Sequence, residues 1–527
     1  MLVTHEPTRI RSRTRRGLAV LLTLAFVASC SDDESTSTDT SVDAVSESTT
    51  PVETAPPEPL PPAGGQITVA VADPLDVWDP SSLATVTDLQ VVKEVLEPLV
   101  TLSADGSAIE PGLADSWTAD RNSLTFILPA GATFSDGASV SSADVKFSIE
   151  AALAGPHARS YAAIGAVETP DRTTVVLRLT APDTSLLAAL TRATAGIVKA
   201  DFGGRTRDQY FAAPVGTGPF TVGSHTADEV VLVKNPNYHR AGLPLLDQVT
   251  YRRVSDPQEA VQAFQDGTVD VIESVPLELA DSLDDSTVFA APTAGVSSLL
   301  FNLSAAPADD TAFRAAVSSA IDRTALAAAV FPDHGRPAEA VLPAYLPGSV
   351  SCAACAYLAA DTAPLAAFSG VGAFDLLVDE TRPDDVALAE VVADALTSAG
   401  LEVRAVALDA ATLTTRRSSG DFVVALVTYA AVSPTMNDPL DTMLAGLLPD
   451  ARSAVDGAEE ARAAVAVADD DLARSDAAAA FEQWSFSSHW LVPLVGVDHA
   501  VAIAADVQGL VVHPLLLNML RTVVSIR

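Results

Sequence analysis

From residue 66 onward, apolar and polar positions alternate between two rhythms, one of period two and one of about three and a half. "QITVAV" (66–71), "SLTFILPAG" (123–131), "TTVVLRLTAP" (173–182), "EVVLVKN" (229–235) and "QVTYRRV" (248–254) are β-rich runs bounded by turn residues, and each predicts a strand. "LQVVKEVLEPLV" (89–100) carries Leu89, Val92, Leu96 and Leu99 at helical spacing and predicts a helix through its whole length. "SSADVKFSIEAALAG" (141–155) predicts another, with Ser142 as the N-cap candidate. "PQEAVQAFQDGTVDVIE" (257–273) predicts a helix, a glycine stop and a short strand.

The second half changes texture. "SSLLFNLS" (297–304) predicts a strand, and "DDTAFRAAVSSAIDRTALAAAV" (309–330) a single amphipathic helix with an acidic start. "AFDLLVDE", "DDVALAEVVADALTSAG" and "LEVRAVAL" (373–408) make a strand–helix–strand run, which implies at least some parallel sheet. "DFVVALVTY" (421–429) predicts a strand, "LARSDAAAAFEQWSFSSH" (472–489) a helix, and "LVPLVGVDHAVAIAADVQGLVV" (491–512) terminal strands. No regular internal repeat is present. The pattern is mixed α/β, with segments that cross between regions, and it favours lobes joined by several strands over one doubly wound sheet.

The N-terminus carries its own signal. Arg9, Arg11, Arg13, Arg15 and Arg16 precede the apolar run "GLAVLLTLAFVA" (17–28), too short for a span of ~20 residues but suited to a signal peptide. It ends in "VASC", small residues before Cys30, which resembles a bacterial lipobox in which Cys30 is acylated. An ordinary secretory cleavage site is the alternative. Residues 31–65 lack aromatics, are rich in Ser, Thr, acids and Pro, and predict a disordered tether with a coil span of roughly 30 Å. The picture is an anchored protein outside the cytoplasmic membrane.

Charge and chemistry narrow the field. At 527 residues and a formal net charge of −37, the chain would repel phosphate backbones, so nucleic acid is a poor partner. Of three cysteines, Cys352 and Cys355 lie close in "SCAAC", where a local disulfide fits an oxidising compartment; a free pair or a redox pair are the other readings. No nucleophile elbow, His-Glu-x-x-His or Walker loop occurs, and the eight histidines suit no simple metal site. No cofactor, metal or catalytic residue is expected. "PVGTGPF" (214–220) has a Gly-x-Gly spacing, but position 221 is Thr and strand follows, so Gly216 and Gly218 read as backbone punctuation rather than a phosphate cradle.

An ordered set of motifs then becomes specific. "VLEPLVTLSADG" (95–106), "IEPGLADSW" (109–117), "SLTFILPAGATFSDGASVSSADVKFSIE" (123–150), "VGTGPF" (215–220), "LVKNPNYHRAGLPLLDQVTYR" (232–252), "FQDGTVDV" (264–271) and "LLFNLSAAPADDTAFRAAVSSAIDR" (299–323) appear in that order. Together they resemble the extracytoplasmic solute-binding proteins of the peptide/nickel (family 5) class of ABC importers, in lipoprotein form; the C-terminal half matches more loosely. The resemblance implies a periplasmic-binding-protein-like type II bilobal α/β fold with an inserted domain and hinge closure. It divides the chain into a signal peptide (1–29), a lipidated linker (30–64), lobe I (65–100, 197–275 and 491–527), an inserted domain II (101–196) and lobe III (276–490).

It further implies a non-enzymatic, monomeric receptor that captures oligopeptides or similar small polar solutes and delivers them to permease subunits. The same fold used for sensing or envelope contacts without transport is the runner-up, and an extracytoplasmic hydrolase a weaker one. By the same analogy Trp78, Asp79, Phe301, Asn302, Tyr429 and Asp438 are the candidate ligand-binding residues. Trp117, Phe134 and Tyr238 are expected to pack. The segment "YAAVSPTMNDP" after the 421–429 strand departs from the family, because the aromatic–Ala–Asp stretch of many peptide binders is missing and the nearest acid is Asp438.

Overall fold

The computed structural model describes residues 64–525 except 76, 84, 105, 107, 281, 285–286, 333, 344–345, 347–348, 350–354, 356, 358–359, 432–434, 446–455, 469–470, 513–514, 516–519 and 521. Its frame is a twelve-stranded sheet among those residues. From one edge the order runs Val403–Leu408, Phe374–Asp379, Val424–Ala430, Gly295–Phe301, Leu491–Ile503, Val271–Val275, Gln66–Val71, Gln248–Arg253, Glu229–Lys234 and Phe220–His225.

The strand Leu491–Ile503 belongs to both halves. Its first part pairs antiparallel with Gly295–Phe301, and its last part with Val271–Val275 and Val288–Pro292. We call it the crossover strand. On one side, Gln66–Val71 runs parallel to both Gln248–Arg253 and Val271–Val275. On the other, Phe374–Asp379 runs parallel to Val403–Leu408 and Val424–Ala430, the βαβ unit expected from the sequence. A separate four-stranded antiparallel sheet is built from Ser116–Asp120, Ser123–Ile127, Ile164–Glu168 and Thr174–Leu179, with its own core around Phe126, Phe134 and Tyr161.

Local signals account for most boundaries. The helix predicted through residue 100 stops at Lys93, after a start at Val86 capped by Thr85 and Asp88 in a reciprocal box. Pro98 and the strand Val100–Leu102 take over beyond it. The helix Ser142–Ala154 is capped one residue earlier than expected, by Ser141 with Asp144. The predicted single helix at 309–330 is two, Thr311–Ala320 and Arg323–Val330. Asp322 caps the second helix, and the break lets Arg323 enter the core.

The Gly-x-Gly of 216 and 218 is a close approach of backbone to backbone. A Cβ on Gly216 would overlap the Val95 carbonyl, and one on Gly218 the Glu94 carbonyl, at the end of the first helix. Gly218 N–H donates to Val95 O at 3.0 Å and Phe220 N–H to Glu94 O at 3.0 Å, so the strand is stitched to the helix end. Glycine is required there for proximity, not for left-handed backbone. Nearby, the buried Glu97 carboxylate receives Tyr238 Oη at 2.8 Å and lies 2.8 Å from His239 Nε2. Phe134 is buried as expected, and Trp117 packs half-buried against the same core.

Candidate functional site

Where parallel strands end, the loops that follow their carboxyl ends form the natural crevice of an open α/β sheet. Both halves present polar groups at such edges. On the first, Asp73 follows Gln66–Val71, Glu273 sits within the parallel neighbour Val271–Val275, and Thr87 lies in the first turn of the helix Val86–Lys93. Thr87 Oγ1 is 3.1 Å from Asp73 Oδ2 and 3.2 Å from Glu273 Oε2. Glu273 is 7% exposed, and its carboxylate is met by the Thr87 hydroxyl and by the Gln90 side chain. Burial pushes its carboxyl up to about 7; the Thr87 hydrogen bond opposes this and the charge of Asp73 adds to it.

On the second edge, Asp385 stands in the first turn of the helix Pro383–Ser398, next to the carboxyl end of Phe374–Asp379. Thr428 Oγ1 approaches its two oxygens at 2.9 and 3.0 Å, and Ser297 Oγ is 2.8 Å from Thr428 Oγ1. Arg382 bonds the same carboxylate from outside. Burial pushes Asp384 up to about 6, with Asp385 and Glu278 adding to the effect. The buried Ser298 Oγ has no partner among the described residues, and the buried Tyr429 hydroxyl lies against the Arg417 guanidinium.

His499 on the crossover strand lies between the two edges. Burial pushes its imidazole down to about 4; a hydrogen bond with the backbone of Glu273 opposes this, and the field of Arg382 adds to it. It is therefore neutral at pH 7. One side chain thus touches the first edge through Glu273 and feels the second through Arg382. Among the described residues no cluster of three or more metal-ligating side chains exists, and no helix is long and apolar enough to cross a membrane.

The residues singled out from sequence have mixed positions. Trp78 is 3% exposed and packs edge-on against His225 in the core of the first half. Asp79 receives a two-pronged bond from Arg207, with Nη2 at 2.7 Å from Oδ1. Phe301 is buried in the core of the second half, and Asn302 closes a turn by donating to Gly420 O and Phe422 O at 2.9 Å each. Tyr429 lies beside Thr428 at the second edge. Asp438 falls in the helix Asn437–Ala445, its side chain outside the described residues. Cys355 is disulfide-bonded, while Cys30 and Cys352 lie outside the described residues. Asp73, Thr87, Glu273, Asp385 and Thr428 were not foreseen. The one legible signal was an acid, Glu273, inside the otherwise apolar strand "VIESV".

A second polar junction ties the four-stranded sheet's region to the helices Asn437–Ala445 and Asp456–Val467. Asn437 Nδ2 donates to Ser185 Oγ at 2.9 Å, Arg159 Nε lies 3.4 Å from Asp441 Oδ1, and Arg462 Nη2 donates to Arg159 O at 2.9 Å. An open recess of about 230 Å³ lies among Ser185, Arg192, Asn437 and Arg462.

A family model for bacterial extracellular solute-binding proteins, family 5 Middle, matches residues 108–447, more than half of the chain. The chain belongs to this family. Family 5 proteins are binding components of ABC transporters rather than enzymes, in keeping with the lack of a catalytic motif in the sequence. A Brucella ovis protein described as an ABC transporter peptide-binding protein is 30% identical over 260 residues, 46% of this chain and 49% of its own length. The chain spans about half the length of the curated relatives it matches. The murein tripeptide binding protein MppA of Escherichia coli superposes with a TM-score of 0.77 at 19% identity, covering 88% of this chain and 98% of that one. Haemophilus influenzae OppA, solved in complex with RPPGFSPFR, gives a TM-score of 0.76 at 20% identity, with 88% and 99% covered. These likenesses establish the bilobal type II binding-protein fold for the family 5 chain.

Proposed function

We propose that this chain is the lipid-anchored, extracytoplasmic receptor of an ABC importer, which captures oligopeptides or similar small polar solutes and hands them to a permease. The observation that carries the reading is the meeting of two sets of strand carboxyl ends, both polar, at one shared strand. Ligand sites favour such junctions, and closing one lobe on the other excludes water while both contribute contacts. Lobe I would comprise 65–100, 197–275 and 491–527, lobe III 276–490, with 101–196 inserted between segments of lobe I. The similar proteins, one described as peptide-binding and one as murein tripeptide binding, support a peptide cargo.

A ligand held only by the folded state stabilises it by about 2.7 kcal/mol at a hundred times its Kd. A peptide library is therefore expected to raise the melting temperature and to reduce the radius of gyration in small-angle scattering. Peptides, sugars and metal chelates that all shift neither quantity would end the receptor reading. The anchor has its own test. Cys30→Ala is expected to release the protein from the membrane fraction into the soluble one, and continued membrane association would remove the lipid from the account.

A further inference from the structure

We infer that the polar junction between region 101–196 and the helices Asn437–Ala445 and Asp456–Val467 is an ionic clasp. It must part before the lobes can open, so it sets how firmly the empty receptor stays shut and makes that grip weaken with salt. This rests on the receptor reading with its lobes I and III.

Connectivity gives the clasp its role. Region 101–196 is stitched to lobe I. Val198 N–H donates to Ser148 Oγ at 2.9 Å, Ala200 N–H to Asp144 Oδ1 at 2.8 Å, Ile197 N–H to Glu97 O at 3.1 Å and Arg240 Nη2 to Gly112 O at 2.8 Å. The crossover strand in turn joins lobe I to lobe III by sheet pairing. The junction closes these links into a ring, and a ring opens at its weakest link. One link is a continuous sheet; the other is a set of side-chain pairs.

Those pairs are polar and partly wet. Arg159 of the inserted region approaches Asp441 Oδ1 through Nε at 3.4 Å, and its Nη1 donates to Glu459 Oε1 at 3.2 Å. Ser160 Oγ donates to Asp441 Oδ2 at 3.3 Å. Arg462 holds the same carboxylate from within lobe III, while its Nη2 donates across to Arg159 O. Thr184 caps the end of the helix Asp456–Val467, its N–H donating to Ala466 O at 2.8 Å and its Oγ1 to Ala468 O at 2.9 Å. The Arg159 side chain is 32% exposed and that of Glu459 42%, so water can replace each partner as the clasp parts. Ion pairs so placed are weak one by one and screened by salt, which suits a contact that breaks and re-forms. Leu102 is buried in the cluster around Trp490, a part of the closed state that salt does not screen.

The test uses the full chain without cargo, nitroxide labels on the exposed Ala181 of the inserted region and Ala464 of lobe III, and dipolar spectroscopy. Arg159→Gln removes two charge pairs and is expected to lower the ratio of short to long distances about fivefold, and Glu459→Gln about twofold. Arg159→Lys keeps the charge and should stay nearer wild type. Raising salt from ~0.01 to ~1 M cuts the screening length from about 30 to about 3 Å, and should lower the ratio in wild type far more than in Arg159→Gln. Retention of a random tetrapeptide library should fall with the ratio. Distances indifferent to salt, to Arg159→Gln and to the half-exposed Glu459→Gln, or long distances alone in wild type, would overturn the clasp and leave the receptor reading standing. Labels that respond as expected in a protein that retains no peptide would support the clasp and count against the peptide reading alone.

Discussion

Arg323→Met is expected to lower the free energy of unfolding by about 4 kcal/mol, the range seen when a buried charged group loses its partners or leaves them behind. The guanidinium is fully buried and is held by main-chain carbonyls. Nε donates to Pro493 O at 2.6 Å, Nη1 to Ser318 O at 3.1 Å, to Ile321 O at 3.2 Å and to Tyr357 O, and Nη2 to Ser318 Oγ at 3.1 Å. The Tyr357 ring lies 5.3 Å away, an additional cation–π contact. Burial pulls its pKa down to about 10, which leaves it charged at neutral pH. Methionine fills similar volume but orphans the acceptors, each worth about 1–3 kcal/mol when buried unsatisfied. Lysine restores charge without the planar fork and should recover less than half. The readout is the urea midpoint at constant slope; a midpoint within error of wild type would show that water or neighbouring donors replace the fork.

Glu482 yields the second large effect, a dependence on pH. Its carboxylate is fully buried and accepts Val341 N–H at 2.9 Å and Leu342 N–H at 2.6 Å. Burial pushes its pKa up to about 7, against the two amide hydrogen bonds, from an ordinary 4.5. A raised acid means that between these values the folded state keeps a proton the unfolded chain has released. Its contribution is full below 4.5 and is lost as pH rises to 7, with nothing further lost above. Glu482→Gln removes that titration. The difference in unfolding free energy between variant and wild type should therefore move in the variant's favour by about 3 kcal/mol from pH 4.5 to pH 8. Every other group titrates in both proteins and cancels. A difference that stays flat across this range would show that Glu482 is ionised throughout.

Strands were legible because their β-branched and apolar runs stand between turn residues, as in "EVVLVKN" and "DFVVALVTY", and the parallel pairing followed from one helix set between two such runs. The break at Ile321–Asp322 was not, since apolar spacing continues across it while Ile321 turns to extended backbone and Asp322 caps the next helix. The helix Ala410–Ser419, "AATLTTRRSS", was also missed. It buries little beyond Leu413 and is fixed at its ends, by Asp409 accepting from Thr412 N–H and by Gly420 in the left-handed region. The candidate site was least legible of all. Thr87 and Glu273 are 186 positions apart, and only the packing of the helix Val86–Lys93 against the sheet brings them together. Asp79 and Asn302 had the residue types of ligand contacts, yet Arg207 and the Gly420 and Phe422 carbonyls already engage them.

The crossover strand has a consequence for how the protein comes into being. Neither half of the large sheet is complete without Leu491–Ile503. At ~5–20 residues per second, the ribosome needs on the order of 25–100 s to deliver that segment. Through that interval the nascent chain lacks the strand that locks both halves, so the large sheet cannot close until this late segment has been made. A circular permutant that places this strand first should close the large sheet earlier during synthesis, read as earlier protease resistance of arrested nascent chains.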